Sequence, residues 1–300
     1  MSSLRFLHIP KTAGTTFIDI MKRQYHLSGH FDFTGDIDAD TDRFAALSHT
    51  EREKIGLFVG HAPITTGIKE ADAARIITFL RDPVSRVKSY CQHAFEGKSP
   101  NLIDDFPPDS FDLDKFLDCG DEELSNMHSR MLINDRVSAA SLLIEGMSDS
   151  EARDMALDNL FNKISYFGIV EYFEESVIYF KKQLNWSYPF FVSMNKKDST
   201  KLIEFKERHI EKIVELNSID IEVYDAAKSE FMSIIQSSEM DKLALWQFKL
   251  MLPAVATYRN NLPRIRDAST SLRQIFIPLR DKATSGIERF AQKIMDRLNL

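Results

Sequence analysis

Short apolar runs that stop at polar, loop-forming residues recur through the first third of the chain, each followed by apolar positions at helical spacing. Leu4-Arg5-Phe6-Leu7-His8-Ile9 gives way to Pro10-Lys11-Thr12-Ala13-Gly14-Thr15-Thr16, after which Phe17, Ile20, Met21 and Tyr25 share one helical face. Leu57-Phe58-Val59 runs into Gly60-His61-Ala62-Pro63. Ile76-Ile77-Thr78-Phe79-Leu80 ends at Arg81-Asp82-Pro83, and Val84, Val87 and Cys91 then form the inward stripe of a helix. Apolar runs alternating with helices are the pattern of a mostly parallel sheet flanked by helices, an α/β architecture. The same reading predicts a helix over 151–164 with Met155, Leu160, Phe161 and Ile164 on one face. It adds strands over Tyr166–Val170 and Pro189–Met194, and helices over 174–184, near 204–216 and over 219–235. Residues 36–54, polar and acidic, read as a loop and a short helix. Residues 95–125 carry Pro100, Pro107, Pro108 and many aspartates, and read as an irregular excursion over the crevice that serves acceptor binding.

Two of the strand ends have the composition of anion sites. A loop that opens a helix presents backbone N–H groups at the positive end of the helix dipole. Lys11 adds a full charge there, Thr12, Thr15 and Thr16 add hydroxyls, and Gly14 lets the backbone approach a ligand. The order differs from the nucleoside triphosphate loop, where Gly-Lys-Ser/Thr closes the segment; here Lys11 precedes the glycine. The plainer alternative is a glycine turn capped by threonine. At the second strand end, Arg81 lies at the mouth, Pro83 suits a first helical turn, and Arg86 and Ser89 are one turn apart. An arginine with a serine hydroxyl fits a second phosphate; alone, Arg81 could equally pair with Asp82 at a helix cap.

These residues carry a resemblance. The chain resembles the sulfotransferases that use 3′-phosphoadenosine 5′-phosphosulfate (PAPS), in particular the heparan sulfate 2-O-sulfotransferase-like branch and its bacterial homologues. His-Ile-Pro-Lys-Thr-Ala-Gly-Thr-Thr over 8–16 is similar to that family's 5′-phosphosulfate loop, and Arg81-Asp82-Pro83 with Arg86 and Ser89 to its 3′-phosphate motif. Weaker echoes lie at Asn126–Leu132, Phe167–Ser176 and Asn217–Tyr224, so the likeness runs over about residues 4–235. It implies a P-loop-type three-layer fold over 1–235, with a helical extension over 236–300 outside it. It implies sulfuryl transfer from PAPS to an acceptor hydroxyl, on a carbohydrate or glycolipid, without a metal. Lys11, Thr12, Ala13, Gly14, Thr15 and Thr16 would hold the 5′-phosphosulfate, Lys11 neutralising the leaving oxygen, while Arg81 and Ser89 would grip the 3′-phosphate. His61 follows a buried strand and stands where that branch has a histidine, which makes it the base for the acceptor hydroxyl; the alternative is a histidine capping the strand end. His8, inside the first strand, reads as structural. His128 and Arg130 are acceptor-side candidates, or else a solvated helix face. Other classes that fit an anion-binding α/β chain are a P-loop kinase or nucleotide hydrolase, and a non-catalytic nucleotide-binding protein.

Charge and composition narrow the partners. A net charge of −7 argues against a general nucleic-acid surface. Cys91 and Cys119 are the two cysteines and have no metal spacing. Because the first strand begins at Leu4, no signal or anchor is expected ahead of it, which predicts a cytoplasmic, bacterial enzyme, at most peripheral to an inner membrane. The last sixty residues differ, with 11 Lys/Arg against 5 Asp/Glu. Near the end Ile287, Phe290, Ile294 and Leu298 oppose Arg289, Lys293 and Arg297, a basic amphipathic pattern that would lie on a membrane, self-associate, or pack on the acidic body. Asn195-Lys196-Lys197-Asp198-Ser199 reads either as a nucleotide contact or as a solvated turn.

Overall fold

Five strands, β1 (Leu4–Leu7), β2 (Gly29–Phe33), β3 (Ile55–Gly60), β4 (Arg75–Leu80) and β5 (Tyr166–Ile169), form one sheet in the order β2-β3-β1-β4-β5. Every pairing is parallel, with Phe6 of β1 beside Val59 of β3 and Ile77 of β4. This is a computed structural model, and it describes residues 3–133, 146–191 and 202–261. Helices flank the sheet, as the alternating pattern predicts. Both faces are covered. On β3, Leu57 and Val59 join the main core with Phe17, Ile20 and Phe180, whereas Phe58 between them joins Phe31, Phe44 and Ala71. Period-two alternation thus sends neighbouring residues of one strand into different cores.

The strand order decides where chemistry can sit. The chain builds β2 and β3 on one side of β1, then crosses to place β4 on the other. At such a reversal the loops leaving adjacent strands part and open a crevice at their carboxyl ends. The loops after β1, β3 and β4, which carry Lys11, His61 and Arg81, leave the same edge of the sheet as neighbours.

Several local expectations are corrected. β2 adds a strand that the apolar runs do not predict: Phe31 and Phe33 are buried and His30 and Asp32 exposed, a two-residue alternation over a short span. The 36–54 segment holds two helices, Ile37–Ala45 and His49–Glu53, capped by Asp36 and by a Ser48–Glu51 capping box. The expected helix over 151–164 is Asp149–Asp158 followed by a widened turn, Asn159–Lys163, in which the Ile164 N–H reaches the Asn159 carbonyl. That widening breaks the 3.6-residue register: Leu160 and Ile164 are buried, but Met155 and Phe161 are exposed. No strand forms over Pro189–Phe191, and the rest of that expected strand lies outside the described residues. The 95–125 excursion folds down rather than out. Phe116, Leu117 and Leu124 pack with Val87, Tyr90 and Cys91 of the helix Pro83–Phe95.

The boundary at 235 is not a packing boundary. Helix Lys242–Asn261 buries Ala244, Phe248 and Val255 in the main core, and Phe248 stacks on Phe190 at 5.3 Å. Pro253 sits inside that helix, and no described helix is long and apolar enough to cross a membrane. The basic amphipathic stretch over 287–298 and the segment 195–199 lie outside the described residues.

Candidate functional site

The β1 loop is strained in a way that serves anion binding. Lys11 and Ala13 both have positive φ, 67° and 62°. For a residue with a Cβ, each such conformation costs on the order of 1 kcal/mol or more. Alternating ordinary and left-handed residues turn successive N–H groups toward one concavity. Helix Gly14–Gln24 starts there with Ala13 as its N-cap and no side-chain cap, so its first turn offers N–H groups that no helical carbonyl takes. Lys11 is partly buried beside them. Burial lowers its pKa to about 8, Glu123 opposing and Arg81 and Lys98 adding to the fall.

Two of the loop residues do something other than expected. The Thr12 hydroxyl points inward and donates to the Ile9 carbonyl at 2.8 Å, fully buried, so only its backbone is free to meet a ligand. Thr12→Val should lower stability by about 1–3 kcal/mol by leaving that carbonyl unsatisfied, read as a shift in the urea midpoint with an unchanged slope. Gly14 is a glycine because of His8. A Cβ at position 14 would fall 1.8 Å from His8 Nε2, so the space expected for a ligand is taken by an imidazole.

Arg81 joins the two anion motifs. Its guanidinium donates to the Lys11 carbonyl at 3.0 Å, half-buried, while the Asp82 side chain caps the next helix by accepting from the Ser85 N–H at 2.7 Å. The cap alternative therefore holds for Asp82, and Arg81 is left to face the loop. Ser89, half-buried on the helix Pro83–Phe95, makes no side-chain hydrogen bond among the described residues. Arg86 departs from the motif reading. It is fully buried and donates to the Glu123 carbonyl, so it braces the 122–124 turn and has no access to the crevice. Burial pulls its pKa down, and Asp220 and Glu123 counter that.

His61 follows Gly60 at the end of β3. Gly60 has φ 122°, and a Cβ there would sit 2.3 Å from the Phe33 carbonyl, so the strand can turn at this point only with glycine. His61 Nδ1 lies 2.9 Å from the His8 carbonyl. A carbonyl can only accept, so Nδ1 carries the proton and Nε2 keeps its lone pair. Desolvation by the surrounding protein lowers the His61 pKa, as does Lys11, while the His8 carbonyl raises it, although the residue's surface stays open to solvent.

His128 is not where an acceptor could meet it. His128 is fully buried between two structural partners: Nδ1 is 3.0 Å from Asp220, and Nε2 accepts from the Arg81 N–H at 3.4 Å. Asp220, equally buried, also accepts from the His128 and Ser129 N–H groups and the Ser129 hydroxyl at 2.6–2.8 Å. Against the upward pull of burial, His128 and these donors hold its carboxyl below the usual range. The pair thus anchors the strand end that carries Arg81. Arg130 donates to the Ser125 carbonyl at 2.9 Å, within its own segment. The identity of His128 gave no hint of its burial, because the covering helix, Ser218–Gln236, is some ninety residues away in sequence.

Two further groups were missed. Glu123 has its carboxyl raised to about 7 by burial, with Asp121 adding to the rise and Arg86 and Lys11 opposing it. His93, one turn beyond Ser89, has its pKa lowered by burial, then by Lys11 and Lys98. Its spacing of four from Ser89 was the available signal. Among the described residues no group of three or more His, Cys, Asp or Glu could hold a metal ion.

Fold and site together define a parallel α/β protein whose cationic loops converge at a topological reversal of the sheet. It is similar to named sulfotransferases: the chain is 25% identical over 273 residues to heparan-sulfate 6-O-sulfotransferase 2 of Gallus gallus, covering 77% of this chain and 67% of that protein. The human counterpart is also 25% identical, over 45% of its length, and human heparan-sulfate 6-O-sulfotransferase 1 is 28% identical over 186 residues and 44% of its length. The chain therefore spans less than half of these human relatives. No family model matches the chain. The relatives bear a 6-O name, whereas the motifs resemble the 2-O branch. The expected cytoplasmic location is overturned by these relatives, which are Golgi lumenal enzymes, and a bacterial origin finds no support among them. A strand close to residue 1 constrains the fold and carries no address.

Proposed function

We propose that the chain transfers a sulfuryl group from PAPS to a hydroxyl of a carbohydrate, on a heparan-like polysaccharide in the first instance. The observation that carries this reading is the 3.0 Å bond from Arg81 to the Lys11 carbonyl, which makes one cationic crevice of two motifs. The uncapped helix start and the left-handed Lys11 and Ala13 fit a 5′-phosphate; Arg81 and the Ser89 hydroxyl, unpartnered among the described residues, fit a 3′-phosphate. The nucleotide supplies an activated S–O bond. His61 takes the acceptor proton at Nε2 as the acceptor oxygen bonds to sulfur. The electron pair of the broken S–O bond stays on the 5′-phosphate oxygen, where Lys11 and the loop N–H groups balance the new charge.

Calorimetry with adenosine 3′,5′-bisphosphate against ATP tests the donor site. The bisphosphate should bind and ATP should not compete, and Arg81→Ala should weaken bisphosphate binding about 10- to 100-fold, the value of a charged hydrogen bond. Tighter ATP binding with magnesium would favour a kinase or nucleotide hydrolase. Labelled sulfate transfer to 6-O-desulfated and 2-O-desulfated heparan sulfate, read by disaccharide mass spectrometry, then assigns the hydroxyl; the named relatives make the 6-position the first to examine.

A further inference from the structure

His8 has no part in the proposed transfer, yet it contacts both the base and the helix start of the phosphate loop. Its ring is sandwiched between Phe6, at 5.3 Å and 17°, and His61, at 4.2 Å and 24°. Its edge fills the space above Gly14, so that no side chain fits at that helix start. Its carbonyl takes the His61 Nδ1 proton at 2.9 Å. Neither nitrogen of its own ring has a hydrogen-bond partner among the described residues, so what the ring contributes is shape and exclusion of water. Burial, then His61 and Lys11, push its pKa well below the ordinary range, which keeps the stack free of charge repulsion at neutral pH. Stacked aromatic rings at such spacings have a preferred offset geometry, and a ring clamped on one face and bonded at one nitrogen has little freedom left.

We infer that His8 is a positioning residue that acts through His61: ring and carbonyl together hold the base in its Nδ1–H form, with Nε2 presented at a set distance from the phosphate loop. The inference rests on the sulfotransferase reading only for what Nε2 does next. The loop and the base, which come from different strand ends, are thereby held to one another by a residue of β1's own extension. The charged group facing His61 is Lys11 from the loop; His8 faces it with a neutral ring and a backbone carbonyl.

Nitrogen-15 NMR of the histidine side chains of the full chain tests the first half directly. The His61 spectrum should show protonated Nδ1 and unprotonated Nε2 at neutral pH; protonated Nε2 overturns the inference. Variants test the second half. His8→Ala admits water to the stack, so the His61 pKa should rise toward 6.5 from its lowered value, and the acid limb of kcat/KM should move to higher pH. Turnover should fall about tenfold or more, while bisphosphate affinity stays within about threefold. His8→Phe keeps the stack and loses only the nitrogens, and should keep both the limb and turnover within about threefold. If His8→Phe is as impaired as His8→Ala, or if it loses bisphosphate affinity, the ring nitrogens bind ligand and the inference fails. Should His8→Ala not fold, the phenylalanine variant and the wild-type tautomer still decide. Absence of sulfate transfer by the unmodified protein would sink the parent reading and leave the tautomer result standing.

Discussion

Lys11→Ala should lower kcat by about 10²–10³-fold, equivalent to about 3–4 kcal/mol of lost stabilisation of the leaving oxygen. The effect belongs to the transition state, because negative charge on the bridging oxygen grows only as the S–O bond breaks. Bisphosphate affinity should fall far less, since the loop N–H groups and Arg81 remain. The pH dependence carries its own sign. With a pKa of about 8, Lys11 is charged below that pH and neutral above it, so kcat/KM should decline through about pH 8 in the free enzyme. Lys11→Arg keeps the charge at all accessible pH and should remove the alkaline limb, at a lower plateau because a planar fork replaces a compact ammonium. Stopped-assay rates from pH 5 to 10 with labelled donor check both; an alkaline limb unchanged in Lys11→Arg would assign the titration to another group.

His61→Ala should reduce kcat by about 10²–10⁴-fold, the usual range for a positioned general base. Here the limb lies on the acid side. The base works only when neutral, and its pKa is depressed below 6.5, so activity should rise through that lowered value and stand near its plateau at neutral pH. The alanine variant should lose this limb and retain bisphosphate binding, as His61 stands on a different strand end from both phosphate motifs. Imidazole added to the assay should restore part of the lost rate. Glu123, with a carboxyl near pH 7 and Lys11 in its field, is another group whose titration could masquerade as this limb, and a Glu123→Gln control separates them. Full activity in His61→Ala would move the base elsewhere and leave the donor site untouched.

How much of this was legible beforehand differs by element. β1, β3, β4 and the helices after β1 and β4 announced themselves through dense apolar runs and stripes, because a strand buried on both faces tolerates little else. β2 did not, because an edge strand with two phenylalanines over five residues carries too short a signal. The helix over 151–164 misled because a single widened turn at Asn159 rotates everything after it, and no side chain advertises such a turn. Lys11, Gly14, His61, Arg81 and Ser89 stood out by residue type at strand ends. Arg86 and His128 stood out by residue type as well and are buried.

The distinction is physical. Local periodicity, strand-end composition and the helix start after Ala13 depend on residues within a turn or two of one another, so the order of residues alone determines that this chain builds a parallel α/β sheet with cationic loops. Which of those cations face a ligand depends on partners far away in the chain. Asp220 claims His128 across ninety residues, and the Glu123 carbonyl claims Arg86 across nearly forty. Burial of a polar group is decided by what covers it and by whether its hydrogen bonds close, and only the packed tertiary structure supplies both.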